Sequence, residues 1–263
     1  MSEVIVITSG KGGVGKTTTS ANLGMALALA DKKVAMLDAD IGLRNLDVVM
    51  GLENRIVYDI VDVIDGNCRI TQALIKDKRS PNLFLLPAAQ TKDKDAILPG
   101  QMQKLCESLK EEFDYIIIDC PAGIERGFKN AIAGADRAIV VTNPEVSAVR
   151  DADRIIGLLE ANNLKNPMLI LNRLRPDMIT RGDMMSIEDV TEILAVDILG
   201  VVPDDEYIIT STNHGEPAVL KPESKAGKAF IDISKRIMGQ EVPFMDFSTK
   251  DSFMTKLSGM FKK

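Results

Sequence analysis

SGKGGVGKTT, residues 9–18, follows the apolar run EVIVIT (3–8) and leads into a segment of helical period near 16–30. Gly10, Gly15, Lys16 and Thr17 fit the phosphate-loop spacing G-x-x-x-x-G-K-T, in the strand–loop–helix setting that the motif requires. Its glycines let successive backbone N–H groups turn toward phosphate oxygens. The following helix adds its positive end. The expected nucleotide-binding residues are therefore Gly10, Lys11, Gly12, Gly13, Val14, Gly15, Lys16, Thr17 and Thr18. Lys16 is expected to reach the β- and γ-phosphates, and the Thr17 hydroxyl to bind Mg²⁺. Lys11 is a second lysine in a loop that needs only one. Its backbone faces the phosphates, whereas its side chain can extend away.

Beyond the loop, short β-branched runs alternate with helical segments. Strands are expected at 3–8, 33–37, 83–86, 115–119, 137–142, 168–172 and 198–202. Helices are expected near 16–30, 56–64, 99–111, 125–134, 147–161, 186–195 and 223–238. The strands are apolar almost throughout, which suits a sheet covered on both faces. The pattern predicts an α/β fold: a single doubly wound, mostly parallel sheet forming a P-loop domain over 1–239. A spacer (240–251) and an amphipathic tail (252–263) follow. Ligands of such sheets gather at the carboxyl ends of the strands, where DADIGLRNLD and DCPAG lie.

Those two stretches supply acids. Asp119 ends the run YIIID and is placed to hold Mg²⁺, directly or through water. Asp38 and Asp40 leave the second strand two residues apart, a spacing that puts both on one side of an extended segment. Carboxylates so placed can orient or deprotonate an attacking water; an Asp-rich turn is the plainer alternative.

Bulk properties exclude several classes. A formal charge of −6 and a pI near 5.0 argue against a broad nucleic-acid-binding surface. No apolar run reaches the roughly 20 residues of a membrane span, and the first residues lack a signal peptide's basic flank. Cys68, Cys106 and Cys120 are odd in number and scattered, which points to a reducing cytoplasm.

KGGVGKTT resembles the deviant phosphate loop of the Mrp/MinD/ParA group of P-loop ATPases. DADIGLRNLDVVMG, DCPAGIERG, TNPEVSAVRDADRIIGLL, LNRLRP and LGVVPDDE extend the likeness, specifically to the MinD family, over most of the chain. The resemblance implies an ATP- and Mg²⁺-dependent homodimer in which Lys11 crosses to the partner's phosphates. Asp40 would orient water, Asp38 lie near the metal, and Asn172, Arg173 and Pro203 form the adenine pocket. Glu125, Asp151 and Asp153 would meet regulators of the MinC and MinE type, or another topological-specificity factor. The implied function is placement of the division site by a slow ATPase. It would bring a division inhibitor to the inner membrane face and leave when a partner stimulates hydrolysis.

In DSFMTKLSGMFKK (251–263), Phe253, Met254, Leu257, Met260 and Phe261 recur at helical spacing. They fill an arc of about 120°, with Lys256 outside it. Residues 250–263 carry four lysines against Asp251. Such a segment either docks on its own domain or lies in an anionic membrane surface; the family resemblance favours the membrane. A ParA-type DNA or cargo partition ATPase and a flagellar-placement ATPase share the loop. The acidic charge and amphipathic tail disfavour partition, and the first strand starts too early for the flagellar type's N-terminal segment. A redox carrier resembling the nitrogenase iron protein would need a second cysteine placed like Cys120, which the spacing lacks.

Overall fold

The computed structural model describes residues 2–92, 96–124, 126–245 and 247. Strand β1 (Glu3–Thr8) is buried from Val4 onward, as its unbroken Val/Ile run demands. Its side chains alternate strictly between two cores. Val4 and Val6 enter one, and Ile5 and Ile7 the other. β2 (Val34–Asp38), β3 (Ile75–Lys76), β4 (Leu83–Leu86), β5 (Tyr115–Asp119), β6 (Arg137–Thr142), β7 (Met168–Leu174) and β8 (Ile198–Pro203) complete an eight-stranded sheet. Its order is β3-β4-β2-β5-β1-β6-β7-β8. Every pairing is parallel except β3 with β4. The doubly wound, mostly parallel fold expected from the strand pattern is the observed one.

Helices cover both faces. On one side α1 (Lys16–Leu29) and α11 (Lys225–Ile237) bury Leu23, Leu27, Phe230 and Ile233 against the sheet. On the other lie α5 (Pro99–Lys110), α6 (Arg126–Ile132), α7 (Val146–Ala161) and α9 (Ile187–Leu194), with Leu105, Phe128, Ile155 and Val190 inward. The chain enters at the amino end of central β1, where the Val4 N–H donates to Asp136 Oδ2 at 2.8 Å. The phosphate loop leaves β1 at its opposite, carboxyl end.

Several elements differ from expectation. The helix expected from residue 56 begins only at Ile60 as α3 (Ile60–Ile64). Asp59 accepts from Val61 and Asp62 N–H at 2.8 and 3.1 Å and so fixes its start. α2 (Leu46–Val49), α4 (Ile70–Ala73) and α8 (Pro176–Arg181) are too short to show a period, and two-residue β3 is shorter still. α10 (Glu206–Asn213) was also unforeseen. Of the expected spacer and tail, Phe253, Met254, Lys256, Leu257, Met260 and Phe261 lie outside the described residues.

Asp205 starts two helices at once. Its Oδ1 accepts from Tyr207 N–H of α10 at 3.0 Å, and its Oδ2 from Ser224 Oγ and Ala226 N–H of α11 at 2.8 and 2.9 Å. Burial pushes the carboxyl up, but these donors outweigh it and hold the group below its ordinary range. A depressed carboxyl stabilises the fold above its unfolded pKa and loses that contribution as pH falls through its folded one. Asp205→Ala is expected to cost about 1–3 kcal/mol at neutral pH, two caps' worth. Urea unfolding at pH 7 and below pH 4 should show the gap to the parent protein closing in acid.

Candidate nucleotide site

The loop between β1 and α1 is held from three sides. A Cβ on Gly10 would lie 2.2 Å from the Asp151 carbonyl oxygen, so the loop touches the backbone of α7 where only glycine fits. Gly15 has φ +101°, and a Cβ there would meet Asn172 Nδ2 at 2.3 Å. That same Nδ2 donates to the Val14 carbonyl at 2.8 Å, tying the loop to the end of β7. Ser9 Oγ donates to the Lys11 carbonyl at 2.8 Å. No side chain caps the start of α1, which leaves its first N–H groups available to an anion.

Lys16 is buried and Lys11 exposed. Lys11 Nζ reaches Ser147 Oγ at the start of α7, 3.4 Å away, so this side chain runs outward over the surface. The two lysines therefore serve different spaces.

Beside the loop, β2 and β5 end in register, with Asp38 opposite Asp119. Both are fully buried. Ser20 Oγ on α1 donates to Asp119 Oδ1 at 2.8 Å, and the Thr17 hydroxyl also bonds that carboxylate. Burial pushes Asp119 above the usual range, against Thr17, Lys16 and Ser20, which draw it down. Asp38 is pushed up by burial first and by the Asp119 charge second. Its Oδ1 accepts from Asp40 N–H at 3.0 Å, and its Oδ2 from Asn45 and Leu46 N–H at 3.2 and 3.1 Å. Asp38 thus anchors the segment 40–46 and the start of α2 through backbone donors, a role its sequence setting did not announce. Asp40 is half-buried, and its charge acts on both neighbours. Ser20 was likewise absent from the sequence reading.

Among the described residues no three His, Cys, Asp or Glu converge to hold a metal unaided. Mg²⁺ does not require that, because it commonly keeps waters and phosphate oxygens with one or two protein ligands. A hydroxyl bonded to a buried, upshifted carboxylate suits such a cation. The residues that would hold it are Thr17 and Asp119, with Asp38 beside them.

On the other side of the loop opens a cavity of about 1140 Å³, lined by Gly15, Thr18, Asn172, Arg173 and Pro203, among others. Arg173 holds φ +58°, at a register irregularity between β7 and β8. A non-glycine residue in that region carries strain of about 1–3 kcal/mol. The loop, Asn172, Arg173 and Pro203 thus share one cleft at the carboxyl edge of the sheet. Lys11 reaches the start of α7, half-buried Asp151 lies on that helix outside the cavity lining, and Asp153 is exposed further along it. Glu125 lies outside the described residues.

Known proteins resemble this chain in sequence and in fold. The family profile described as the CobQ/CobB/MinD/ParA nucleotide binding domain matches residues 5–218. The septum site-determining protein MinD of Bacillus subtilis (strain 168) is 56% identical over 264 residues, covering 99% of this chain and 98% of that protein. The MinC:MinD cell division protein complex of Aquifex aeolicus contains a chain of TM-score 0.87 and 50% identity, covering 93% of this chain and 99% of that one. The septum site-determining protein MinD of Pyrococcus horikoshii OT3, complexed with Mg-ADP, gives TM-score 0.82 at 34% identity, covering 90% of this chain and 96% of that one.

The Asn172 amide can act on the loop, on a base, or on both. Asn172→Ala removes a hydrogen bond worth ~1 kcal/mol, about a fivefold loss of affinity. Calorimetric titration is expected to show that loss for ATP and for inorganic triphosphate alike. Loss for ATP alone would restrict the side chain to base contact.

Proposed function

The chain belongs to the MinD group of the CobQ/CobB/MinD/ParA nucleotide-binding family, and from that premise we propose that it is a dimerising ATPase that places the division site. ATP closes two copies together, the pair holds to the membrane and recruits a MinC-type inhibitor, and hydrolysis releases it. The observation that carries this reading is the opposite placement of the two lysines. Lys16 is buried within its own loop, and Lys11 lies across the outer surface toward α7.

Lys16 would neutralise the β- and γ-phosphates, while the loop's N–H groups hold their oxygens. Thr17 and Asp119 would hold Mg²⁺, which supplies positive charge against the triphosphate. Asp40 would orient the attacking water, with its backbone fixed by Asp38. Lys11 would enter the neighbouring copy's site, acting in trans as an arginine finger does. Exposed Leu43, Ile124 and Val146 follow β2, β5 and β6 on the same carboxyl edge, and association would cover such apolar rims. Adenine would occupy the cavity beside Asn172, Arg173 and Pro203. Asp151 and Asp153 on α7, with Glu125, would offer the acidic face that regulators of the MinC and MinE type contact.

Membrane attachment rests on the tail sequence. Five large apolar side chains supply a gross ~7–15 kcal/mol at about 1.5–3 each. Ordering a short isolated helix offsets much of this. One copy therefore binds weakly, and pairing adds about 10²–10⁴ through the second, intramolecular insertion.

Lys16→Ala is expected to abolish ATP binding, whereas Lys11→Ala should retain binding but lose the ATP-dependent dimer in sedimentation velocity. Equal dimerisation of the parent chain in ATP and ADP would overturn the coupling. Co-sedimentation with anionic vesicles should need ATP, and a chain ending at residue 249 should stay in the supernatant.

A further inference from the structure

After α11 the chain crosses the edge of the sheet. β8 is the last strand in the order, so its outer side has no strand partner among the described residues. Exposed strand edges are commonly covered by a loop. Here Arg236 in the last turn of α11 links that edge to the residues that follow the helix. Arg236 Nε donates to the Val242 carbonyl at 3.1 Å and Nη2 to the Pro243 carbonyl at 2.9 Å. Nη1 donates to the Leu199 carbonyl of β8 at 3.1 Å. The Phe244 ring lies over the guanidinium, with 4.3 Å between its centroid and the central carbon. Beyond this clasp Met245 packs against the α1–α11 core and Phe247 against the core of the opposite face. The described residues after the helix thus reach both cores, Met245 on one face of the sheet and Phe247 on the other.

We infer that Arg236 is a positioning residue for membrane attachment, clasping the residues after α11 to β8 so that the tail leaves the domain from a fixed point on a short tether. This inference rests on the membrane reading above. Without the clasp, fourteen residues (238–251) separate Ile237 from Ser252 in sequence; with it, the last held residue is Phe247, and four positions (248–251) separate it from Ser252. The effective concentration of a flexibly linked second site falls as about the −3/2 power of tether length. Lengthening from four residues to fourteen thus weakens the second insertion by about sixfold. A lysine cannot replace the clasp, because three divergent donors and a stacking plane come from one rigid fork.

The test uses the full chain with ATP and vesicles of phosphatidylglycerol and phosphatidylethanolamine. Arg236→Ala is expected to raise the half-saturating lipid concentration about sixfold, with ATP hydrolysis in the absence of lipid unchanged. Arg236→Lys should behave like the alanine variant. A ten-residue Gly/Ser insertion between Phe247 and Ser248 lengthens the tether with the clasp intact, and should give the same loss. Chymotryptic cleavage at Phe244 and Phe247, measured without lipid, should be fast in Arg236→Ala and slow in the parent and insertion chains. Vesicle binding by Arg236→Ala equal to the parent's, or equal cleavage rates, overturns the clasp. A parent chain that does not bind vesicles with ATP overturns the membrane reading and with it the tail-positioning role, whereas slow cleavage would still establish the clasp itself.

Discussion

A fully buried carboxylate at the end of β5 is the constraint around which this molecule is organised. Asp119 is removed from water, and an isolated charge there would be prohibitively unstable. Two hydroxyls of α1 and the neighbouring Lys16 answer it. Those three groups follow directly from the loop, so the anion at the strand end and the cation-bearing turn specify one another. Asp38, one strand over, worsens the local repulsion and is stabilised by three backbone N–H groups. The segment carrying Asp40 is thereby attached to the same electrostatic centre.

The same logic extends outward from α2. Arg79 donates to the Met50 and Gly215 carbonyls at 2.7 Å each, and its guanidinium pairs with Asp77. It joins the segment after Asp38 to the end of α10, where Gly51 and Gly215 meet too closely for any side chain. Buried Asp47 pairs with Arg44, whose φ is +49°. Charged side chains inside this domain thus hold chain segments together by pairing with carbonyls and with each other, as buried charges must.

Much of this was legible in the sequence, and the exceptions share a cause. The strands were visible because a sheet buried on both faces demands unbroken apolar runs, and EVIVIT and YIIID have nowhere else to go. The loop was visible because phosphate binding fixes residue types at fixed spacing. Ser20 was not visible: a small hydroxyl one turn into a helix has no pattern of its own, and its importance comes from Asp119, 99 positions away. Asp38 read as an open acid because its three donors are backbone groups, which any residue would supply. Arg236 carried no signal in the sequence, because its partners include Leu199 in a strand 37 positions earlier. α8 and α10 were missed because local start signals, Pro176 and Asp205, outweighed any periodicity. The sequence shows what a residue can do; tertiary contact decides what it meets.

The direction of β1 has a practical corollary. Parallel strands place every amino end on one pole of the domain and every carboxyl end on the other, and β1 runs straight from the first residues to the phosphate loop. A fluorophore or surface linker joined ahead of Glu3 would therefore sit about 20 Å from the phosphates, the length of a six-residue strand. Attached there, the molecule could be watched or immobilised with its nucleotide cleft facing away from the label and open to solution.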